Sequence, residues 1–375
     1  MMLTRRSLMA CVASLVATAR SRGSSAGTRA IPVYSFSQGP RPGQPGHGPT
    51  RASLTAECPL PDAFAGVCVT IPWAVVAPTP TRFDFSLLDA ALDYWGRRGK
   101  RVNVNIPTIG YPLDWPDGPG TDTCTPPWVM RQTPSYRIAA HDQRFNWATT
   151  DADYPDFRHP GFQANVAHLV GRLAAYDGNP AVAMLRIATG VQGEDNPIAG
   201  PLVKPLPWYT EAQWLDYCGR VTGFYTAAFR RTQLEFDLGR CSVAVFRDPA
   251  LRPAYTRLLN QLRTARVMLC HDGLSSSSAA QIADPNNQGG APLRDLQAYA
   301  AQGGLIGLEM VGPFYNKSMH DAASIVAAVR MLQPARVNVF GDMAMALVDP
   351  SRVPPRVRAE TIAEARALMA GFGYG

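Results

Sequence analysis

The sequence predicts a closed (β/α)8 barrel. Three observations predict it. Eight short apolar or β-branched runs recur along the 375 residues, the pattern of strands buried on both faces. Helical periodicity fills several of the intervals between them, and alternating strands and helices imply a parallel sheet. Neither GxGxxG nor a Walker sequence occurs, although an open doubly wound sheet usually carries a glycine-rich phosphate loop after its first strand.

Taken in order, the first strand is Ile31–Ser37. A Gly/Pro-rich loop follows it (Pro40 to Pro49), and residues 39–65 show little helical pattern. The second strand is Gly66–Ile71, after which Leu88, Leu92 and Trp95 mark a helix; Asp84 stands where its N-terminal cap belongs. The third strand is Arg101–Ile106, and a long loop, 107–159, comes next. Phe162, Val166, Leu169, Val170 and Leu173 line a helix leading into the fourth strand, Val182–Ala188. Trp214, Tyr217, Val221, Phe224 and Ala228 precede a fifth strand at Cys241–Phe246. The sixth and seventh strands are Arg266–Cys270 and Leu305–Met310. Ile325, Val326, Val329 and Leu332 form the helix before the eighth, Arg336–Phe340, and Ile362, Ala365 and Leu368 suggest a closing helix. With no internal repeat or second composition regime, residues 31–375 read as one catalytic domain.

Composition narrows the function. Hydrophobic residues make up 46% and charged residues 17%, which supports a large core and argues against disorder. The formal net charge is +7, yet the basic residues are scattered, so nucleic acid is a poor partner. Arg5-Arg6 precedes a short apolar run from Leu8 to Ala17, with small residues at Ala17-Thr18-Ala19. Residues 1–19 therefore read as an export signal, resembling the twin-arginine type, and 20–30 as a flexible lead. The run is too short for a bilayer, so no membrane association is expected. Of seven cysteines, Cys11 falls in the signal; no CxxC pair occurs, and Cys58 with Cys68 is the one disulfide worth considering. The six histidines are dispersed and no HExxH occurs, so neither a metal nor a cofactor is expected.

A barrel builds its active site at the C-terminal ends of its strands. Those ends offer Trp73, Asn105, Glu194, Arg247 with Asp248, His271 with Asp272, Glu309 and Asp342. Glu194 follows strand four and Glu309 ends strand seven, nearly opposite across the mouth. One carboxylic acid to donate a proton and one carboxylate to attack or stabilise a sugar cation is what glycosidic cleavage needs. Arg186, inside an apolar strand, requires a buried acidic partner, which a mouth carboxylate would supply. His271-Asp272 and Asp342 read equally as substrate contacts or as hydrogen-bonded rim groups. Trp73, Trp115, Trp128, Trp147, Trp208 and Tyr315 fall in or beside the top loops, where flat rings could stack on sugars.

At this point a resemblance enters. Ile71-Pro72-Trp73, then Phe83-Asp84-Phe85-Ser86-Leu87-Leu88-Asp89, then Gly99-Lys100-Arg101-Val102, and Thr125-Pro126-Pro127-Trp128-Val129 resemble clan A glycoside hydrolases, the retaining (β/α)8 group that includes β-galactosidases and many cellulases. Pro155-Asp156-Phe157 through Tyr176 resembles the helix leading into their fourth strand. The resemblance implies a carbohydrate substrate, Glu194 as acid/base and Glu309 as nucleophile. From the strand ends and top loops, the candidate substrate contacts are Trp73, Asn105, Trp128, Gln192, Asn196, His271, Asp272, Tyr315 and Asp342. The chain departs from the pattern at Gly193, where the clan usually has an asparagine that binds the sugar 2-hydroxyl. That leaves Gln192 and Asn196 as polar substitutes, and a non-catalytic carbohydrate-binding barrel as the competing expectation.

Overall fold

A computed structural model describes residues 30–36, 51–56, 58, 60–110, 124–138, 152–197, 209–311 and 321–374. Eight parallel strands close on themselves: β1 Val33–Phe36, β2 Gly66–Thr70, β3 Arg101–Asn105, β4 Val182–Arg186, β5 Gln233–Asp237, β6 Met268–Leu274, β7 Ile306–Met310 and β8 Arg336–Val339. Each pairs with its neighbours in sequence, and β1 pairs with β8 to complete the ring. Helices pack around the outside, so the fold is a (β/α)8 barrel. Backbone contacts group Ile31–Gly375 as one unit.

The helices form where apolar residues recur on one face. In Pro160–Leu173 the buried residues are Phe162, Val166, Leu169, Val170 and Leu173, a single stripe turned to the strands. Ser86–Gly96 buries Leu88, Ala91, Leu92 and Trp95, and its entry is fixed by the Asp84 carboxylate accepting from Ser86 N at 3.1 Å. The last helix, Arg358–Gly371, returns the chain to its beginning: Phe372 O accepts from Ile31 N at 2.9 Å, and the Tyr374 hydroxyl donates to Ile31 O at 3.0 Å. An antiparallel ribbon, Ser135–Ile138 with Ala152–Pro155, stands in the long loop after β3.

Two elements differ from the sequence expectation. The fifth strand is Gln233–Asp237, and Cys241–Phe246 lies within the helix Arg240–Arg247. The cause is a remote cap. The Asp195 carboxylate, from the loop after β4, accepts from the backbone N–H groups of Gly239, Arg240 and Cys241 at 2.9, 2.7 and 2.8 Å. These are the orphan donors of a helix N-terminus, and filling them overrides the local strand preference of Val243 and Val245. Arg247 and Asp248 consequently sit on an exposed helix end away from the strand termini. Cys58 and Cys68 are both buried free thiols, so the considered disulfide is not formed.

The barrel interior is unusually polar. One small apolar cluster joins Tyr34, Cys68, Met184 and Met268. Above and between these, Asn103 of β3 meets Asn338 of β8 (3.3 Å), and Arg336 of β8 pairs with Glu235 of β5. Both contacts cross the barrel, because neither pair of strands is adjacent. Among the described residues no helix is long and apolar enough to cross a membrane.

Candidate active site

The C-terminal ends of the strands converge on Arg186, the last residue of β4. Its guanidinium spans the mouth. Nε and Nη2 donate to Glu235 Oε1 at 3.0 and 2.8 Å, Nη2 also donates to Glu309 Oε2 at 2.6 Å, and Nη1 lies 3.6 Å from Asp237 Oδ2. The acidic partner that an arginine within a strand requires is thus supplied from β5 and β7 together. Arg336 and Arg186 hold the Glu235 carboxyl below the usual carboxylate range despite its burial.

Glu309 is the fourth residue of β7 and is buried. Besides the Arg186 ion pair, it accepts from Asn338 Nδ2 at 3.1 Å, again on Oε2. Asn338 is in turn held by Asn103. A cation and an amide therefore fix the orientation of this carboxylate and supply its counter-charge.

Glu194 is not on a strand. It lies on the loop beyond β4, eight residues after Arg186, next to the Asp195 that caps Arg240–Arg247. Its carboxyl accepts from Asn196 Nδ2 at 3.1 Å. Burial, then the charges of Asp272 and Glu309, push its pKa well above the usual carboxylate value, against the opposing pull of Arg186. Glu309 is thus among the charges that raise the pKa of Glu194.

The other sequence-predicted residues separate into groups. His271 and Asp272 occupy the irregular part of β6, where the pairing with β7 shifts between His271 and Leu274. Such bulges re-aim side chains. His271 Nδ1 meets Leu238 O at 2.9 Å and lies 3.5 Å from Asp272 Oδ1; burial lowers its pKa, so it is held neutral. Gln192 and Asn196 share the Glu194 loop, and Asn105 ends β3, where it lines a pocket with Asn103, Arg186, Glu235 and Asn338. Asp342 is buried in the first turn of the helix after β8. Trp115, Trp147, Trp208 and Tyr315 fall outside the described residues.

Trp73 and Trp128 require a correction as sugar platforms. Trp73 is fully buried, its ring edge-on to Trp128 (6.2 Å between centroids) and to Phe162 (6.1 Å). Trp128 is buried too, and its indole N–H donates to Ala77 O at 2.8 Å. Both rings pack the short helices Trp73–Val76 and Pro127–Gln132 against the barrel, so neither presents a face to a ligand.

Sequence reading missed Glu235 and Asp237 because it missed β5. Neither carboxyl oxygen of Asp237 accepts a hydrogen bond among the described residues, and the group is 2% exposed. Burial and the charge of Asp272 raise its pKa well above normal. The alternation Leu234, Phe236 outward and Glu235, Asp237 inward was the available signal. Asp237, His271 and Asp272 place ligand atoms within 4.8 Å of one another, as do Asp237, Cys270 and Glu309. The chain's own cations already meet both sets: Arg186 stands against Asp237 and Glu309, and Arg336 donates to the Cys270 sulfur at 3.2 Å.

With this geometry in place, the comparisons are specific. Residues 66–200, which span β2 to the Glu194 loop, match the glycoside hydrolase 42 family model, described as beta-galactosidase. The barrel resembles those of clan A glycoside hydrolases. The catalytic domain of beta-amylase from Paenibacillus polymyxa superposes with a TM-score of 0.53 at 12% identity, covering 87% of this chain and all of that one, and shows the shared fold. A beta-galactosidase from the psychrophilic Marinomonas ef1 aligns over 91% of this chain and 62% of its own, with a TM-score of 0.46 and 12% identity. No curated protein matches the sequence. The matched segment, in a barrel of this kind, supports a glycoside hydrolase.

Proposed function

We propose that the protein hydrolyses O-glycosidic bonds of an oligo- or polysaccharide with net retention, using Glu309 as nucleophile and Glu194 as acid/base. One observation supports this most: two glutamates share a field but have opposite environments. Glu309 is ion-paired to Arg186 and hydrogen-bonded to Asn338 on a rigid strand. Glu194 is pushed toward its protonated form by burial and by Asp272. Environments that separate two carboxylates in this way assign the acid and the nucleophile.

In the first step Glu309 attacks the anomeric carbon while Glu194 gives its proton to the departing oxygen. The negative charge on Glu194 is then disfavoured by its neighbours, which primes it to take a proton from water in the second step. Asn338 and Arg186 keep the attacking carboxylate from rotating away. Neutral His271, beside Asp272, supplies a hydrogen-bonding group for sugar hydroxyls at this face.

β-Galactosides are the first substrates to try, because the matched family model is described as beta-galactosidase. The test is a panel of aryl glycosides and polysaccharides with the anomer of the first product followed by NMR. Retention, with E194Q and E309Q each reduced by at least about a thousandfold, is the expected result. Inversion, or full turnover in either variant, would overturn the assignment. The Arg5-Arg6 pair and the short apolar run after it further support export of the chain, which N-terminal sequencing of the protein recovered outside the cytoplasm would check.

A further inference from the structure

The loop bearing Glu194 is gripped by a residue that the chemistry above does not use. Asn105, at the end of β3, donates from Nδ2 to the backbone carbonyl of Gln192 at 2.7 Å. Gln192 and Gly193 are consecutive residues in left-handed conformation, with φ of 57° and 86°. That is an uncommon state for glutamine, so something outside the loop must hold it. The loops after β3 and β4 are also joined by a parallel bridge, Ile109 with Val191, and Gln192 N donates to Ile109 O at 3.1 Å. Glu194 N closes the turn onto Val191 O at 3.0 Å.

The fit at Gly193 is as specific as the bond. A Cβ there would collide with the Asn105 amide, lying 2.9 Å from its Cγ and 3.0 Å from Nδ2. Glycine is thus required twice, by its φ and by the side chain seated against it. The amide is also oriented in one sense, because the group facing it is a carbonyl and only the NH2 end can answer it. An aspartate at 105 would set oxygen against oxygen.

Resting on the assignment of Glu194 as proton donor, we propose that Asn105 is a positioning residue. Its amide locks the left-handed Gln192–Gly193 pair, and so keeps the Glu194 carboxyl buried beside Asp272 and Glu309, with Asn196 holding the carboxyl from within the same loop. Released from that grip, the loop would let Glu194 swing toward water and lose both its aim and its proton affinity.

The test compares N105D, N105A, G193A and the double variant N105A/G193A with E194Q. Each is assayed on an aryl glycoside with a poor leaving group and on one with a highly activated leaving group. Expected for N105D is a fall in kcat on the order of tenfold to a hundredfold with the poor leaving group, with KM changed less than about threefold. With the activated leaving group, which needs little protonation, kcat/KM should change far less. The alkaline limb of kcat/KM should move to lower pH, since a more solvated Glu194 gives up its proton sooner. G193A should behave like N105D in the wild-type background and cost less on top of N105A, where the collision partner is gone and only the strain at φ 86° remains. A wild-type pH profile and kcat in N105D and N105A would overturn the proposal. So would equal losses with both leaving groups that track the melting temperature, since that is a purely structural effect. E194Q separates the two layers: full turnover there removes the acid assignment itself, whereas an inactive E194Q beside an unaffected N105D removes only the role of Asn105.

Discussion

Replacing Arg186 by glutamine deletes a cation shared, among the described residues, by Glu235, Glu309 and Asp237. Its nitrogens lie 2.8 Å from Glu235, 2.6 Å from Glu309 and 3.6 Å from Asp237, and the side chain is 7% exposed. At about 3 Å and an effective dielectric of about 20, each close pair is worth roughly 5 kcal/mol before desolvation is subtracted. Removing the arginine also removes its own desolvation cost, so the net loss is nearer the ~3–5 kcal/mol typical of breaking a buried pair. An unfolding entropy of ~2.1 cal/mol/K per residue gives about 0.7 kcal/mol/K for residues 31–375. The melting temperature should therefore drop by roughly 4–7 °C near pH 7. The sign with pH follows from the carboxyls left behind. In the wild type Glu235 sits below its ordinary range partly because of Arg186, and Arg186 opposes the upward shift of Asp237. Without it both folded-state pKa values rise, the native state binds more protons than the unfolded chain, and stability falls as pH rises. The deficit of R186Q should thus be largest at neutral pH and shrink toward pH 5. R186K, which keeps the charge but cannot reach Glu235 and Glu309 with one fork, should lose about half as much. Differential scanning calorimetry across pH 5–8 measures all of this. A melting temperature within 1 °C (about 0.7 kcal/mol) of wild type at pH 7, or a deficit that does not change with pH, would refute the account.

Three further outcomes can be checked. In D272N the alkaline limb of kcat/KM should shift down by about one pH unit, because after burial the Asp272 charge is the largest influence raising Glu194; an unmoved limb would detach Asp272 from the acid. D195A should cost about 1–3 kcal/mol in urea unfolding, since three backbone N–H groups at the start of Arg240–Arg247 lose their acceptor, whereas D195N, which keeps an oxygen there, should cost less. Cys58 and Cys124, whose thiols burial pushes up to about 12, should not react with a thiol reagent at pH 8 until the protein unfolds; rapid labelling of either in the native state would contradict their burial.

Much of the barrel was legible because its strands obey a local rule. Gly66–Thr70, Val182–Arg186 and Ile306–Met310 are buried along almost their whole length, and a strand covered on both sides must be apolar almost everywhere. Helices with a single apolar stripe were equally plain. β5 was not, for a reason that also defines the site. Its inward residues are Glu235 and Asp237, so it alternates like a half-exposed strand although Leu234–Asp237 are all buried. The burial is satisfied by Arg186 and Arg336, more than 40 residues away on either side, and no local window contains that information.

The same logic explains which site residues could be read from sequence. Glu309 was legible because it ends an apolar run, and Arg186 because a lone cation in such a run demands an anion. The two tryptophans misled because the residue types that stack on sugars also fill gaps between helices and barrel, and only burial tells these uses apart. Glu194 is the intermediate case. Its position after strand four was readable, but what gives its carboxyl a raised proton affinity is not in its own segment: Asp272 comes from β6 and Glu309 from β7. If Asn105 acts as argued, the aim of that carboxyl is likewise set from β3. With Glu194 as the proposed proton donor, the identity of that residue is local, while its competence is a property of the closed barrel. Substitutions that loosen the mouth without touching either glutamate should consequently erode proton donation before they erode binding.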